Sequence, residues 1–427
     1  MKKLSVISYQ LSVISCQLSV VSYQLSVISC QLSVISYQLQ GTFRNLKSLR
    51  FKSLNFFLLF SFLLFSLLPS ALYAQDKSSV IREKFSVQPK DVIELNTNYV
   101  KDITIEESDK NEVVFITTIT LEKSSNEDFD NLMKAIKISN KQSGKTITYT
   151  FNIDWSGKSK TNNLAGVTEI TLKIFAPKDV LYDITARYGN VKMENVYNDF
   201  RANITYGNLD AQDMLGNKNN IEIKYGNLTM EDFHGKRNQV VIRYGKFKIF
   251  KAEQLNLDIN YSQGDIVNVG TLNLNSKYCT VKCNTAKNLS LASGYDKISI
   301  QKSIEKIEGD MKYGTLTIAS LKSSCVLNPF SYSKITIEEV LSSFTHISIT
   351  DAAYSNIFLS IPREESFAFD YSGRYTDFKD KNIRLNDATF NSDNYTTEMQ
   401  GIYGKNNASG KKVKISARYG SVSLFER

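Results

Sequence analysis

The side chains that could carry out acid–base or metal chemistry are few and widely spaced. The only two histidines, His234 and His346, fall in different segments of the chain. A carbohydrate-cleaving enzyme needs two carboxylates placed on either side of the scissile bond. Glu231 and Asp265 could share a groove, but a solvated face is the favoured interpretation. The carboxylates considered are Asp210, Glu231, Asp232 and Asp265.

Motifs for metal, phosphate or nucleophilic chemistry are missing from the sequence. The paired Cys or His spacing of zinc sites does not occur, and neither do phosphate-binding glycine patterns. Both histidines are expected at surface or corner positions. We therefore predict no catalytic, cofactor-binding or metal-binding residues, no cofactor, and no enzymatic activity. A polysaccharide-active β-helix enzyme is the least favoured alternative.

A repeated motif, Tyr-Gly-x-hydrophobic-x-hydrophobic, organises most of the chain. Its Tyr recurs about every 18 residues. A fixed period of this size is typical of one structural unit stacked many times. The repeat residues are Tyr188, Tyr206, Tyr225, Tyr244, Tyr261, Tyr278, Tyr295, Tyr313, Tyr332, Tyr354 and Tyr419.

Apolar residues alternate on both sides of each Tyr, which is the period of a strand with one buried face. Ile242 and Val240 lie two and four residues before Tyr244, and Phe247 and Ile249 follow it. The alternation breaks after the Tyr, so the chain is expected to turn there. The Gly that often follows fits either unusual backbone angles or close approach of the next repeat. A third apolar position follows about eight residues after the Tyr: Val196, Phe233, Ala252, Val269, Ala286, Leu321 and Val340.

No single repeat could bury its apolar face alone, so the repeats must stack. The predicted fold class is all-β: a parallel β-solenoid (β-helix) of about 18-residue coils, with a β-rich N-terminal cap that contains one short helix. Stacking would place Asn190, Asn208 and Asn227 in an Asn ladder. The rival architecture is an antiparallel meander closed into a barrel, which would not keep the Tyr residues in vertical register.

The first 74 residues are not expected to belong to the fold. Residues 1–40 are low-complexity heptapeptide repeats, interpreted as translated repetitive DNA upstream of the true start. Residues 41–74 combine a basic region, a short apolar core and a small-x-small site, the pattern of a secretory signal peptide. Cleavage is predicted between Ala74 and Gln75. No later apolar run is long enough to span a bilayer.

Removal of residues 1–74 changes the charge balance. They hold six Lys or Arg and no acid, so the net charge falls from +9 to +3. The basic balance therefore gives no support for nucleic-acid binding. Cys279, Cys283 and Cys325 remain. They are interpreted as small core residues, and pairing of Cys279 or Cys283 with Cys325 is the alternative.

The remaining chain divides into three predicted segments. Residues 75–90 are polar and are expected to form a flexible leader. Residues 91–180 are interpreted as a β-rich cap domain with one helix, capped by Ser125 or Asn126 and amphipathic at Phe129, Leu132 and Ile136. Residues 181–427 form the predicted solenoid, with irregular closing coils at its C-terminal end.

A family resemblance is carried by Ile174-Phe175-Ala176-Pro177-Lys178-Asp179 leading into Arg187-Tyr188-Gly189-Asn190-Val191, and by Ala417-Arg418-Tyr419-Gly420-Ser421-Val422. Residues 90–427 resemble the bacterial exported "putative adhesin" domains of the head-GIN-like group. The resemblance implies a β-solenoid at the cell envelope or surface with an adhesive role. It supplies no catalytic residues.

The expected function is therefore that of an exported, non-catalytic envelope or surface protein in the periplasm, outer membrane or cell surface of a bacterium. A protein or glycan of the envelope is the expected partner, and the oligomeric state is left open. A purely structural scaffold is the alternative. The Tyr side chains are expected to face inward or into a corner, and exposed Tyr that stack on carbohydrate are the alternative. Outward residues one position before each Tyr, such as Lys224, Arg243 and Lys312, are the candidate contacts.

Overall fold

The computed structural model describes residues 76–427 except 123, 155–167, 364, 382–384, 394 and 405–409. The predicted signal peptide, its cleavage site and the heptapeptide repeats lie outside the described residues. The described chain is all-β with one helix, α1 (Asn126–Ala135). Its strands are β1 (Lys77–Ser86), β2 (Val92–Asn98), β3 (Asp102–Glu107), β4 (Glu112–Leu121), β5 (Ile136–Ser143), β6 (Thr146–Ile153), β7 (Thr168–Ala176), β8 (Leu181–Arg187), β9 (Asn190–Val196), β10 (Phe200–Thr205), β11 (Leu209–Met214), β12 (Lys218–Lys224), β13 (Asn227–Phe233), β14 (Arg237–Arg243), β15 (Lys246–Asn260), β16 (Gln263–Lys277), β17 (Thr280–Gly294), β18 (Lys297–Lys312), β19 (Thr315–Ile318), β20 (Leu321–Ser331), β21 (Lys334–Ile337), β22 (His346–Ala353), β23 (Asn356–Ile361), β24 (Phe367–Arg374), β25 (Asp377–Lys381), β26 (Leu385–Ser392), β27 (Thr396–Tyr403), β28 (Lys412–Arg418) and β29 (Ser421–Glu426).

Successive Tyr repeats pair side by side in parallel. The strand before one Tyr pairs with the strand before the next, as β10 does with β8 and β12. The strand after each Tyr does the same, as β11 does with β9 and β13. From β8 to β23 the pairs of described strands are parallel, so the antiparallel meander is wrong for this part of the chain. The result is one long, mostly parallel sheet.

The core follows the alternation read from the sequence. Ile223, Ile242 and Ile259 are in register with one another and are fully buried. The third apolar position is buried as well: Val196, Phe233, Ala252, Val269, Ala286, Leu321 and Val340. Each repeat therefore contributes inward residues from three places, and neighbouring repeats bury them together.

The N-terminal part departs from the expected leader. Residues 77–86, expected to be flexible, form β1, which pairs antiparallel with β4 along its whole length. The alternating Val80, Arg82, Lys84 and Ser86 point outward and their neighbours are half-buried. The sequence did not predict β1 as a strand because its composition is polar. Only one face of β1 is covered, and the residues on that face are only half-buried.

Residues 91–180 join the same sheet as the repeats. Strands β2 and β3 pair in parallel with β8 and β9. On their other side β2 pairs with β6 and β3 with β7, and β5–β6 and β4–β7 are antiparallel. The helix is confirmed: the Ser125 side chain accepts a hydrogen bond from the Asp128 amide, and Leu132 is buried.

The C-terminal strands are stacked out of chain order. Strands β28 and β29 pair with β22 and β23 on one side and with β24 and β25 on the other. Residues 412–426 thus lie between residues 346–361 and residues 367–381. The C-terminal end of the stack is formed by β24, β25 and the β26–β27 hairpin, which lie beyond the Tyr419 repeat.

The three cysteines of the described chain are free and buried. Burial raises the pKa of the Cys283 and Cys325 thiols to about 12, so both stay protonated at neutral pH. The thiolate is the reactive form. We expect iodoacetamide at pH 8 to leave Cys283 and Cys325 unmodified in the folded protein and to modify both in urea, as measured by peptide mass spectrometry. Rapid modification without urea would contradict this burial.

Candidate functional site

Glu231 and Asp265, the pair considered for catalysis, are not register partners of each other. Asp265 lies in register with Lys248 and Lys282, whereas Glu231 has no register partner in the neighbouring strand. Both are exposed.

The other polar candidates are also accounted for by surface contacts. The Asp232 carboxylate contacts the Lys251 ammonium at 2.6 Å and His234 Nε2 at 3.5 Å. Asp210 is exposed beside Thr229, and the half-buried His346 lies between Ser324 and Lys412. No group of three or more His, Cys, Asp or Glu side chains that could hold a metal occurs among the described residues.

The dominant surface feature is a column of tyrosine rings, here named the Tyr ribbon. Neighbouring rings are nearly parallel, with centroids 4.7–5.1 Å apart. Every ring is about half exposed, between 38% and 52%. At about 4.8 Å for each step, the ribbon is roughly 58 Å long. In stacking order its members are Tyr99, Tyr188, Tyr206, Tyr225, Tyr244, Tyr261, Tyr278, Tyr295, Tyr313, Tyr332, Tyr354, Tyr419 and Tyr375.

Of the two expected orientations of the Tyr side chains, inward or into a corner, the inward one is wrong: the rings lie half exposed at corners. Every Tyr of the ribbon has a positive φ, from 49° to 66°. This left-handed conformation interrupts the alternation that buries the residues two and four positions earlier, and it turns the ring outward at a corner. It is unfavourable for an aromatic residue by about 1–2 kcal/mol, which ring stacking offsets at about 0.5–1.5 kcal/mol for each pair.

In six repeats the residue after the Tyr is glycine, and a Cβ at any of them would collide with neighbouring atoms. A Cβ on Gly226 would lie 1.7 Å from the carbonyl oxygen of Gly207, and one on Gly207 would lie 1.9 Å from that of Gly189. Of the two explanations offered for these glycines, close approach of the next repeat is the correct one. The unusual backbone angle belongs to the Tyr instead.

Where this residue is Ser or Asp, its side chain makes hydrogen bonds to backbone groups of its own repeat and of the neighbouring one. The Ser262 hydroxyl donates to the Asn260 carbonyl at 2.7 Å and accepts from the Gly245 amide at 3.2 Å. Buried Asp296 accepts from the Cys279 and Gly294 amides at 2.7 and 3.0 Å. It also accepts from two serine hydroxyls. This corner function of Ser and Asp was not recognised from the sequence.

A shallow trough lies beside the Tyr ribbon in two stretches. Its floor is the small residue after each Tyr, and its far wall is the next residue along the chain. One stretch of about 530 Å³ is lined by Tyr244, Tyr261, Tyr278 and their neighbours Lys246 and Gln263. Another stretch of about 280 Å³ lies beside Tyr99 and Tyr188. We name this feature the corner trough.

The far wall of the corner trough is polar. The predicted Asn ladder forms part of it: the Asn208 amide nitrogen donates to Asn190 at 2.8 Å, and that of Asn227 donates to Asn208 at 2.8 Å. Asn190 in turn donates to Asp102 at 3.0 Å. From Asn190 onward the wall contains amides, hydroxyls, lysines and one carboxylate: Asn190, Asn208, Asn227, Lys246, Gln263, Thr280, Lys297, Thr315, Lys334, Asn356, Ser421 and Asp377.

The opposite side of the ribbon is formed by the residue before each Tyr, where the candidate contacts Lys224, Arg243 and Lys312 were placed. Lys224 pairs with Glu222 at 2.7 Å, and Arg243 pairs with Asp258 at 2.9 Å. Lys312 is exposed. The three lie in one column but in separate repeats.

Two members of the ribbon, Tyr99 and Tyr375, were missed in the sequence. Tyr99 is followed by Val100 and Tyr375 by Thr376, so neither carries the Tyr-Gly signature. The alternation of Ile93, Leu95 and Thr97 before Tyr99 is the signal that could have located it. The ribbon therefore extends into the segment interpreted as a separate cap domain.

Comparison with known proteins adds only distant similarity. No protein-family model matches the sequence, and no curated protein matches it. Similar solved structures include a "putative adhesin" from Bacteroides fragilis, with 15% identity, a TM-score of 0.29, and coverage of 62% of this chain and 97% of that one.

Two further solved structures are similar at the same distant level. A "putative cell adhesion protein" from Clostridium sporogenes has 12% identity, a TM-score of 0.15, and coverage of 82% and 100%. A "putative lipid binding protein" from Parabacteroides distasonis has 14% identity, a TM-score of 0.23, and coverage of 66% and 96%. At TM-scores below 0.5, these similarities do not indicate the function of this chain.

Within the described residues, none of the helical structure is long and apolar enough to cross a membrane.

Proposed function

We propose that this protein is an exported, non-catalytic adhesin of the bacterial envelope or surface, built as a parallel β-solenoid that binds an extended partner along the Tyr ribbon and corner trough. The observation that carries the proposal is the column of thirteen half-exposed, stacked tyrosines. Soluble proteins rarely expose large continuous apolar patches, and patches of this kind mark interaction sites. An exposed aromatic column of this length therefore supports a binding function.

The solenoid part of the proposal is supported by the regular parallel pairing of successive repeats. Each Tyr amide donates to the residue before the next Tyr, as Tyr206 does to the Lys224 carbonyl at 2.9 Å and Tyr225 to the Arg243 carbonyl at 2.9 Å. Such a stack presents equivalent residues at a constant step, so a partner with its own repeat can be contacted many times.

The shape of the trough favours a linear partner. Its two stretches are shallow, and equivalent groups recur within each of them. A small molecule is usually bound in a deeper pocket that covers most of its surface. A glycan chain or an extended segment of an envelope protein could instead contact several repeats at once. The predicted signal peptide in residues 41–74 supports a location in the periplasm, at the outer membrane or at the cell surface.

A structural scaffold is the second candidate function, and ring stacking favours it. Each interior ring is covered on both faces by its neighbours, so the ribbon stabilises the column whether or not it binds anything. The two functions differ in one respect: a scaffold needs the stack, whereas an adhesin needs the exposed ring edges and hydroxyl groups.

The test is a triple variant, Tyr244→Asn, Tyr261→Asn and Tyr278→Asn, in protein purified from cells that express the full chain. Asn tolerates a positive φ, so the corners should persist. We expect binding to an array of neutral polysaccharides, acidic polysaccharides and outer-membrane proteins to fall at least tenfold, with an unchanged far-ultraviolet circular dichroism spectrum.

The matched control replaces exposed apolar residues outside the ribbon: Leu215→Asn, Val326→Asn and Phe390→Asn. It should keep wild-type binding. Equal binding by both triple variants would contradict the adhesive function of the ribbon. Lower melting temperature of the Tyr variant without any binding by the wild type would favour the scaffold.

A further inference from the structure

Positive charge is concentrated along the Tyr ribbon. Among the described repeats, the residue before the Tyr is never acidic. It is basic in seven of them: Arg187, Lys224, Arg243, Lys277, Lys312, Arg374 and Arg418. The protein after residue 74 carries only +3 in total. The accumulation is therefore a property of this surface and not of the overall composition.

Five lysines in the central part of the ribbon are exposed, and no ion pair involves them among the described residues. They alternate between the two sides of the rings. Those before a Tyr are Lys277 and Lys312, and those on the trough wall are Lys246, Lys297 and Lys334. The Lys277 ammonium lies 5.4 Å from the centroid of the Tyr278 ring. By contrast, Lys224, Arg243 and Arg418 are paired with acidic residues.

The spacing of these lysines matches a charged polymer better than a single anion. Lys277 and Lys312 are two repeats apart, as are Lys297 and Lys334. Two steps of roughly 4.8 Å place each pair roughly 10 Å apart along the column. A partner with an anionic group at regular intervals could contact lysines on alternate sides of the rings.

The covered ring faces limit the chemistry of the partner. Each of Tyr261, Tyr278 and Tyr295 has a neighbouring ring on both faces at 4.7–5.0 Å. Nucleic-acid bases and sugar rings bind aromatic side chains through their faces, so this mode is not available to the interior of the ribbon. What remains is ammonium groups, phenol hydroxyls, ring edges and the amides of the trough. These groups recognise anionic and hydroxyl-bearing ligands.

We infer that the central part of the Tyr ribbon, residues 244–334, binds a linear acidic polysaccharide, with its carboxylates on the five lysines and its hydroxyls in the corner trough. This inference rests on the proposed function and names its ligand class. A second copy of the same surface is disfavoured as the occupant, because two basic ribbons would repel each other.

The experiment compares two triple variants in protein purified from cells that express the full chain. Lys277→Gln, Lys297→Gln and Lys312→Gln removes ribbon charge. Lys287→Gln, Lys302→Gln and Lys306→Gln removes the same charge from exposed positions elsewhere on the same repeats. Binding to immobilised polygalacturonate is measured by biolayer interferometry at roughly 50 and 300 mM NaCl, two ionic strengths that differ in screening.

We expect the ribbon variant to bind polygalacturonate roughly tenfold more weakly, because each exposed charge contact contributes a few-fold. The control should stay within roughly twofold. Wild-type binding should weaken at the higher salt concentration, because screening acts on exposed charges.

Fully methyl-esterified polygalacturonate, which keeps the sugar and removes the charge, separates the two proposals. It should bind far more weakly than polygalacturonate. Equal binding of both polymers would overturn the acidic-polysaccharide inference and leave the adhesive function standing. Tighter binding of single-stranded DNA than of polygalacturonate, or no loss in the ribbon variant, would also overturn it. Absence of binding to every polymer and every envelope protein on the array would overturn the proposed function itself.

Discussion

The substitution Ile242→Asp is expected to unfold the protein or to lower its free energy of unfolding by at least several kcal/mol. Ile242 is fully buried, in register between Ile223 and Ile259. A carboxylate there would have no partner, and burial of an unpaired charge is costly. Domains are stable by only about 5–15 kcal/mol. Urea unfolding followed by circular dichroism measures the effect.

The matched control is Arg237→Asp, at an exposed position in the same strand opposite Lys218. It should change the free energy of unfolding by less than roughly 0.5 kcal/mol, as surface substitutions usually do. Arg243, the adjacent outward residue, is a poorer control because it pairs with Asp258. Equal urea midpoints for Ile242→Asp and Arg237→Asp would contradict the register of the stack.

The substitution Gly226→Ala is expected to cost about 3 kcal/mol or more, although it adds a single methyl group. The new Cβ would lie 1.7 Å from the Gly207 carbonyl oxygen and 2.8 Å from its carbon. Both are backbone atoms held by the parallel ladder, so the strands must separate to make room, and overpacking of this kind is destabilising. Thermal unfolding measures the loss.

Gly294→Ala provides the comparison within the same sheet. The nearest atom to a Cβ at Gly294 is Lys277 Cγ at 3.9 Å, an ordinary contact. The variant should be neutral or gain up to roughly 1 kcal/mol, because Ala restricts the unfolded chain. Equal melting temperatures for Gly226→Ala and Gly294→Ala would show that close approach of the next repeat is not the reason for glycine after Tyr.

The repeat could be found in the sequence because its apolar residues are locally regular. Each strand alternates for several residues, and the Tyr recurs at nearly constant spacing, so strand type and vertical register follow from short-range pattern. The amphipathic spacing of Phe129, Leu132 and Met133 located the helix for the same reason. These features depend on residues that are close together in the chain.

The orientation of the Tyr could not be predicted in this way. Extending the alternation of inward positions such as Val240 and Ile242 to Tyr244 places its ring inside, and a single positive φ reverses that result. The ring stacking that offsets the cost of this backbone angle joins tyrosines that are about 18 residues apart. No local pattern around Tyr244 or Tyr261 reveals it.

Two further features depend on which strands pair with each other, and local sequence patterns do not predict this pairing. Strand β1 has a polar, half-covered face, so it becomes recognisable only once β4 is placed beside it. The position of β28 and β29 between earlier strands also follows from long-range pairing. Their apolar alternation is as regular as in other repeats, and it fits equally well at the end of the stack or inside it.

The placement of residues 412–426 has a consequence for the order of folding. A chain that emerges from its N-terminus during synthesis delivers residues 346–361 and 367–381 first. These two segments do not pair with each other through β22 and β24, because β28 lies between those strands. The earlier repeats can assemble one upon another as they emerge. The C-terminal strands cannot complete their pairing until residues 412–426 insert between β22–β23 and β24–β25.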